Sequence, residues 1–169
     1  MKKNLVLLGM MGVGKTTLAK IVAKKQGLKF IDIDSIIEKK NSMKVAEIFK
    51  VKGEKFFRIE EEKETLKSLK KSKCIIALGG GAFINKILRD DVLKNAISIW
   101  LDVDLTTLDK RTKWNKTRPL LNTEKYKEKI YQLYAERKNI YKLAKHRINC
   151  GNLRKKNIAK KIISLYEKY

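Results

Sequence analysis

The stretch Gly9-Met10-Met11-Gly12-Val13-Gly14-Lys15-Thr16 constrains this chain more than any other. It has the form G-x-x-x-x-G-K-[ST], a loop whose backbone wraps phosphate groups. An apolar run, Leu5-Val6-Leu7-Leu8, precedes it, and an amphipathic pattern carrying Leu18, Ile21 and Val22 follows. Strand, loop and helix in that order are the context such a loop requires. Glycine lets backbone N–H groups approach an anion without interference from Cβ, and the helix N-terminus adds partial positive charge. Gly12, Val13, Gly14, Lys15, Thr16 and Thr17 are therefore the candidate nucleotide-binding residues. Lys15 is placed to reach the β- and γ-phosphates, and the Thr16 hydroxyl to hold Mg²⁺.

Further along, strand-like and helical patterns alternate. The strand-like runs are Leu5–Leu8, Phe30–Ile33, Cys74–Leu78, Ile97–Leu101 and His146–Asn149. Helical patterns lie near Thr16–Gln26, Ser35–Lys40, Val45–Val51, Glu54–Lys71, Arg89–Lys94, Leu105–Lys113, Glu124–Leu143 and Leu153–Tyr169, with Gly27 ending the first. Several strand runs are almost wholly apolar, as in parallel strands covered on both faces. The pattern predicts an α/β fold, a doubly wound parallel five-stranded sheet flanked by helices. The 169 residues, with one proline and no linker-like block, suit one domain. Two stretches stand apart: a helical insertion over about 35–71, and the polar, cation-rich stretch 113–123, a candidate lid that holds the lone Pro119.

Charge needs separate treatment, because 41 basic residues against 18 acidic ones leave a formal +23. The lysines run along the whole chain, and near the C-terminus they alternate with an apolar stripe at Ile158, Ile162, Leu165, Tyr166 and Tyr169. That is the pattern of solvated helix faces around a core, so a dedicated nucleic-acid surface is not expected. Only seven of the basic residues are arginine. Where lysine is the default cation, an arginine marks a position that needs a planar fork, and Arg58, Arg111, Arg118 and Arg137 lie in distinctive sequence. Cys74 and Cys150 have neither metal nor redox spacing, and His146 is the single histidine, so a metal cluster built on either is not expected. Reduced cysteines and no membrane-length apolar segment point to a cytoplasmic chain, expected to be a monomer.

Three further constellations accompany the phosphate loop. Asp32-Ile33-Asp34 closes the second strand run, and alternation sends both carboxylates to one side. Gly79-Gly80-Gly81 directly follows the third run and permits close backbone approach to a ligand. Arg58 and Glu61 are i, i+3 neighbours on a helix, so Glu61 is able to hold Arg58 in place.

In combination these residues resemble the shikimate kinase family. The phosphate loop comes first, then D-x-D, then G-E-x-x-F-R-x-x-E as Gly53-Glu54-Lys55-Phe56-Phe57-Arg58-Ile59-Glu60-Glu61. Gly79-Gly80-Gly81-Ala82, the R-P-L-L of Arg118-Pro119-Leu120-Leu121, and an R-x-x-x-Y at Arg137-Lys138-Asn139-Ile140-Tyr141 complete the set. The resemblance implies transfer of the ATP γ-phosphate to the 3-hydroxyl of shikimate. It implies that Asp34 contacts the ring hydroxyls, that Arg58 and Arg137 bind the carboxylate, and that Gly80 and Gly81 offer backbone. It further implies that Arg111 packs on adenine, Arg154 belongs to the adenine loop, Arg118 reaches the ATP phosphates from the lid, and Asp32 joins Thr16 around Mg²⁺. Another small-metabolite kinase, such as a gluconate kinase, and a nucleotide-regulated nucleic-acid-binding module are the alternatives from the same and from a different class.

Overall fold

The protein is described by a computed structural model covering the backbone of residues 3–113 and 124–169, with side chains outside 111–113 and 124–126. The 113–123 stretch and Arg118 with it, apart from the backbone of Lys113, lie outside the described residues.

Five parallel strands form one sheet in the order β2-β3-β1-β4-β5. They are β1 (Asn4–Leu8), β2 (Lys29–Asp32), β3 (Cys74–Ala77), β4 (Ala96–Asp102) and β5 (His146–Asn149). The three central strands are buried along their whole length, which is why their sequences read as unbroken apolar runs. The helices are α1 (Lys15–Gln26), α2 (Ile33–Asn41), α3 (Val45–Val51), α4 (Gly53–Leu69), α5 (Lys86–Asn95), α6 (Leu105–Lys113), α7 (Glu124–Tyr141) and α8 (Lys155–Tyr166). No described helix is long and apolar enough to cross a membrane.

Register brings the chemistry-bearing segments to one edge. Leu7 of β1 pairs with Ala77 of β3, so the phosphate loop and the triple glycine leave the sheet side by side. Gly9 turns out of β1 at φ 137°, and a Cβ there would stand 2.5 Å from the Leu101 carbonyl oxygen. Glycine is required at that point both by backbone conformation and by the closeness of β4.

Some boundaries differ from the sequence expectation. β2 ends at Asp32, and α2 begins at the next residue, so Asp34 lies in a first helical turn rather than on a strand. The cause is local: Asp32 Oδ1 accepts the Ser35 backbone N–H at 3.1 Å and caps α2. α5 starts at Lys86, ahead of the expected Arg89, because Asn85 Oδ1 accepts the Leu88 N–H in the same manner. α8 stops at Tyr166, which leaves Tyr169 half exposed against His146 rather than in the core stripe. Cys74 and Cys150 are both buried and unbridged, and His146 sits at the start of a strand, as the sequence indicated.

Candidate active site

A cleft of about 940 Å³ opens at the C-terminal edge of the sheet. Such a crevice, outside the carboxyl ends of parallel strands, is where open α/β sheets bind ligands. The phosphate loop forms one wall, with Gly12, Val13, Gly14, Lys15, Thr16 and Thr17 all lining the cleft. Lys15 Nζ donates to the carbonyls of Gly9 and Met10 at 2.8 and 2.9 Å, which folds its ammonium into the loop. Gly14 precedes the helix at φ 99°, and α1 carries no acid of its own in its first turn, which favours an incoming anion.

Asp32 and Asp34 both line the cleft, although they reach it from different elements. The Thr16 hydroxyl donates to Asp32 Oδ2 at 2.6 Å, beside the mouth of the loop. That pair places hard oxygen atoms side by side next to the phosphate loop. Mg²⁺ keeps several waters and takes phosphate oxygens, so two protein oxygens suit it better than a closed cage. Among the described residues there is no cluster of three or more His, Cys, Asp or Glu of the metal-holding kind.

The triple glycine is the organising element of the opposite wall. Each glycine faces a charged side chain. A Cβ on Gly79 would fall 2.9 Å from Asp34 Oδ1 and closer still to Glu61 Oε1. One on Gly80 would lie 3.3 Å from a terminal nitrogen of Arg137. One on Gly81 would meet both terminal nitrogens of Arg58 at 2.6 Å. Two guanidinium groups, from α4 and α7, therefore converge on adjacent bare backbone positions. This is a cradle for a small planar anion, since guanidinium forks match carboxylates bidentately.

Arg58 is held on several sides. Its Nη1 donates to Glu61 Oε2 at 2.7 Å, and its Nη2 and Nε donate to Glu54 Oε1 at 3.0 and 3.2 Å. Its Cζ lies 5.4 Å from the Phe57 ring and 5.8 Å from Phe49, close enough for cation–π attraction. The two ends of the Arg58–Glu61 pair differ in balance. Burial works against the Arg58 charge, yet Glu61 and Glu54 together hold its pKa above the ordinary value. Glu61 is buried, and that burial pushes its carboxyl up, outweighing the pull of Arg58, while the nearby Asp34 charge adds to the rise. Arg58 is charged throughout, so the titration belongs to Glu61.

A carboxyl raised in the folded chain adds stability in full below its unfolded value, near 4.5, and that stability is lost as pH rises through the folded pKa. Thermal melts should therefore show a negative stability slope from this group just above pH 4.5, and Glu61→Gln should flatten it. The affinity of the cleft for a small carboxylate should fall as pH falls through the same window, because protonated Glu61 releases Arg58. A melt slope identical in the native and Glu61→Gln proteins would count against this assignment.

Arg154 lines the cleft from the start of α8, where its carbonyl accepts the N–H groups of Asn157 and Ile158. Arg111 lies on α6, and its side chain is outside the described residues. Several lining residues escaped the sequence reading. Val45 and Phe49 form an apolar wall at i, i+4 on α3, and Lys129 and Leu133 repeat at that spacing along α7, in line with the expected Arg137. The helical period held the signal for both sets. Tyr141 was visible in its motif without a role. It is fully buried, and its hydroxyl donates to the Gly80 carbonyl.

Comparison with known proteins points to one family. A family model described as shikimate kinase matches residues 11–167. A shikimate kinase of Bartonella quintana is 43% identical over 99% of this chain and 80% of its own length. One from a Sulfurihydrogenibium species is 41% identical over 96% of each chain. A solved shikimate kinase from Acinetobacter baumannii, in complex with shikimate, superimposes with a TM-score of 0.90 at 30% identity, covering 98% of this chain and 93% of its own.

Proposed function

The chain belongs to the shikimate kinase family, and from that premise we infer how its cleft carries out phosphoryl transfer from ATP to the 3-hydroxyl of shikimate. The observation that supports the residue assignments most is the convergence of Arg58 and Arg137 on Gly81 and Gly80, one wall away from the phosphate loop. Shikimate is a small acid with ring hydroxyls. Its carboxylate fits between the two guanidinium groups, and its ring then lies toward Asp34.

In this reading Asp34 accepts a hydrogen bond from the attacking hydroxyl and takes its proton as the new bond to phosphorus forms. Lys15 leaves the carbonyls of Gly9 and Met10 for the β- and γ-phosphates. Phosphoryl transfer depends on positioning and charge stabilisation more than on covalent help, so the cleft's work is to align acceptor and donor. Thr16 and Asp32 would hold Mg²⁺, which when bound neutralises phosphate charge. Arg111 and Arg154 are assigned to the adenine side, and Arg118 to the ATP phosphates from the 113–123 stretch, taken as a lid. Gly80 and Gly81 offer bare backbone to the substrate. The chain acts as a cytoplasmic monomer in this proposal, with the helices between β2 and β3 as its acceptor-binding part.

The test is coupled ADP release with ATP–Mg²⁺ over a panel of acceptors. Shikimate should support turnover, while gluconate and nucleoside monophosphates should not. Folded protein that releases ADP with gluconate and not with shikimate would overturn the acceptor assignment.

A further inference from the structure

Arg137 is the less supported half of the carboxylate clamp. Arg58 is fixed by two glutamates on its own helix, whereas Arg137 stands on α7, immediately after the 113–123 stretch. What sets its place is found one turn to either side. Tyr134 is three residues before it and Tyr141 four residues after, so all three project to neighbouring sectors of the helix.

The Tyr134 hydroxyl donates to Asp102 Oδ1 at 3.0 Å. Asp102 ends β4 and is only 5% exposed. Its other oxygen accepts from Nε and Nη2 of Arg147 at 3.0 and 2.6 Å, and Arg147 Cζ in turn lies 4.9 Å from the Trp100 ring. Trp100 packs against Tyr141, ring centroids 6.0 Å apart. The Tyr141 hydroxyl donates to the Gly80 carbonyl and interacts with the Arg137 side chain. A hydroxyl that gives its proton to a carbonyl keeps its lone pairs for the guanidinium. One connected path thus runs from the end of β4, through β5, back to α7, and onto the triple glycine.

We propose that Tyr134 and Tyr141 are positioning residues for Arg137, fixing the rotation of α7 so that its guanidinium meets the substrate carboxylate already oriented. The inference rests on the reading of Arg137 as a carboxylate ligand. Neither tyrosine touches substrate in this scheme; both act through the arginine. Burial and the Asp102 carboxylate push the Tyr134 hydroxyl up to about 12, so it remains a proton donor over the whole working range. The arrangement gives α7 two separate hydrogen-bonded anchors, one at the end of β4 and one in the glycine loop that follows β3. A single anchor would leave the helix free to roll about it.

The experiment is steady-state kinetics on the full chain with Tyr134→Phe, Tyr141→Phe and Arg137→Ala, alone and in pairs. Phenylalanine keeps ring packing and removes only the hydroxyl. Each tyrosine variant should raise the shikimate KM about three- to tenfold, the loss of one hydrogen bond, with kcat within about twofold and ATP KM unchanged. On the Arg137→Ala background neither substitution should raise the shikimate KM further, because its target is gone. A merely structural role would lower melting temperature and kcat without that split. Shikimate KM unchanged in both tyrosine variants would overturn the proposal, as would an increase that persists undiminished on Arg137→Ala. If Arg137→Ala alone leaves shikimate KM at its native value, the carboxylate clamp itself fails, and the inference with it.

Discussion

Lys15→Ala and Asp34→Ala should each lower shikimate-dependent turnover by about a hundredfold or more, through different partners. Lys15 opens α1 at the end of the phosphate loop, its ammonium held by the Gly9 and Met10 carbonyls. Alanine there removes the charge that would meet the transferring phosphate. Asp34 faces the same cleft from the first turn of α2, beside Gly79. Alanine there removes the group that orients the acceptor and takes its proton. Calorimetry separates the two. Lys15→Ala should weaken ATP and leave shikimate affinity close to native; Asp34→Ala should weaken shikimate and leave ATP close to native. The opposite pattern would exchange the two roles and refute the assignment.

Gly79→Ala should be nearly as damaging, although it adds a single methyl. Gly79 is buried, and its missing side chain points at Glu61 and Asp34. Carboxylate oxygens on flexible stems usually yield to a methyl. Here Glu61 is buried and tied to Arg58, while Asp34 is fixed by the helix that Asp32 caps. Both must move, and both belong to the acceptor site. A displacement of about 1 Å at reacting groups costs on the order of a hundredfold in rate. We therefore expect kcat/KM for shikimate to fall by about that factor, with ATP affinity held and the melting temperature lowered only modestly. Native kinetics in Gly79→Ala would show that Glu61 and Asp34 have room that the structure does not display.

The five strands and the order of the motifs were legible because each depends on local pattern: apolar runs, glycine positions and helical spacing. The D-x-D segment shows where that legibility ended. Alternation placed Asp32 and Asp34 on one strand face, but a capping bond from Asp32 starts the helix one residue later. The two carboxylates share the cleft by a strand-to-helix junction rather than by pleat. Arg58 with Glu61 was readable from helical spacing alone. The Tyr134–Asp102–Arg147 path was not, since its members are 32 and 45 residues apart and meet only once the sheet is assembled. Tyr169 illustrates the converse error, a residue in phase with an apolar stripe beyond the point where its helix stops.

Sheet order and chain order disagree most at β1. It precedes the other four strands in the chain and is the middle strand of the finished sheet, pairing with residues 75–77 on one side and 96–100 on the other. Both pairings close long loops, which slows folding relative to local contacts. During translation the apolar run of β1 therefore waits unpaired until residues 75–77 are made and half-paired until 96–100 follow, exposed to the aggregation that unpaired strands invite. The phosphate loop hangs from the end of that strand. A nascent chain that ends before β4 consequently lacks the strand against which Gly9 turns, and ATP can stabilise this protein only after β4 has been made.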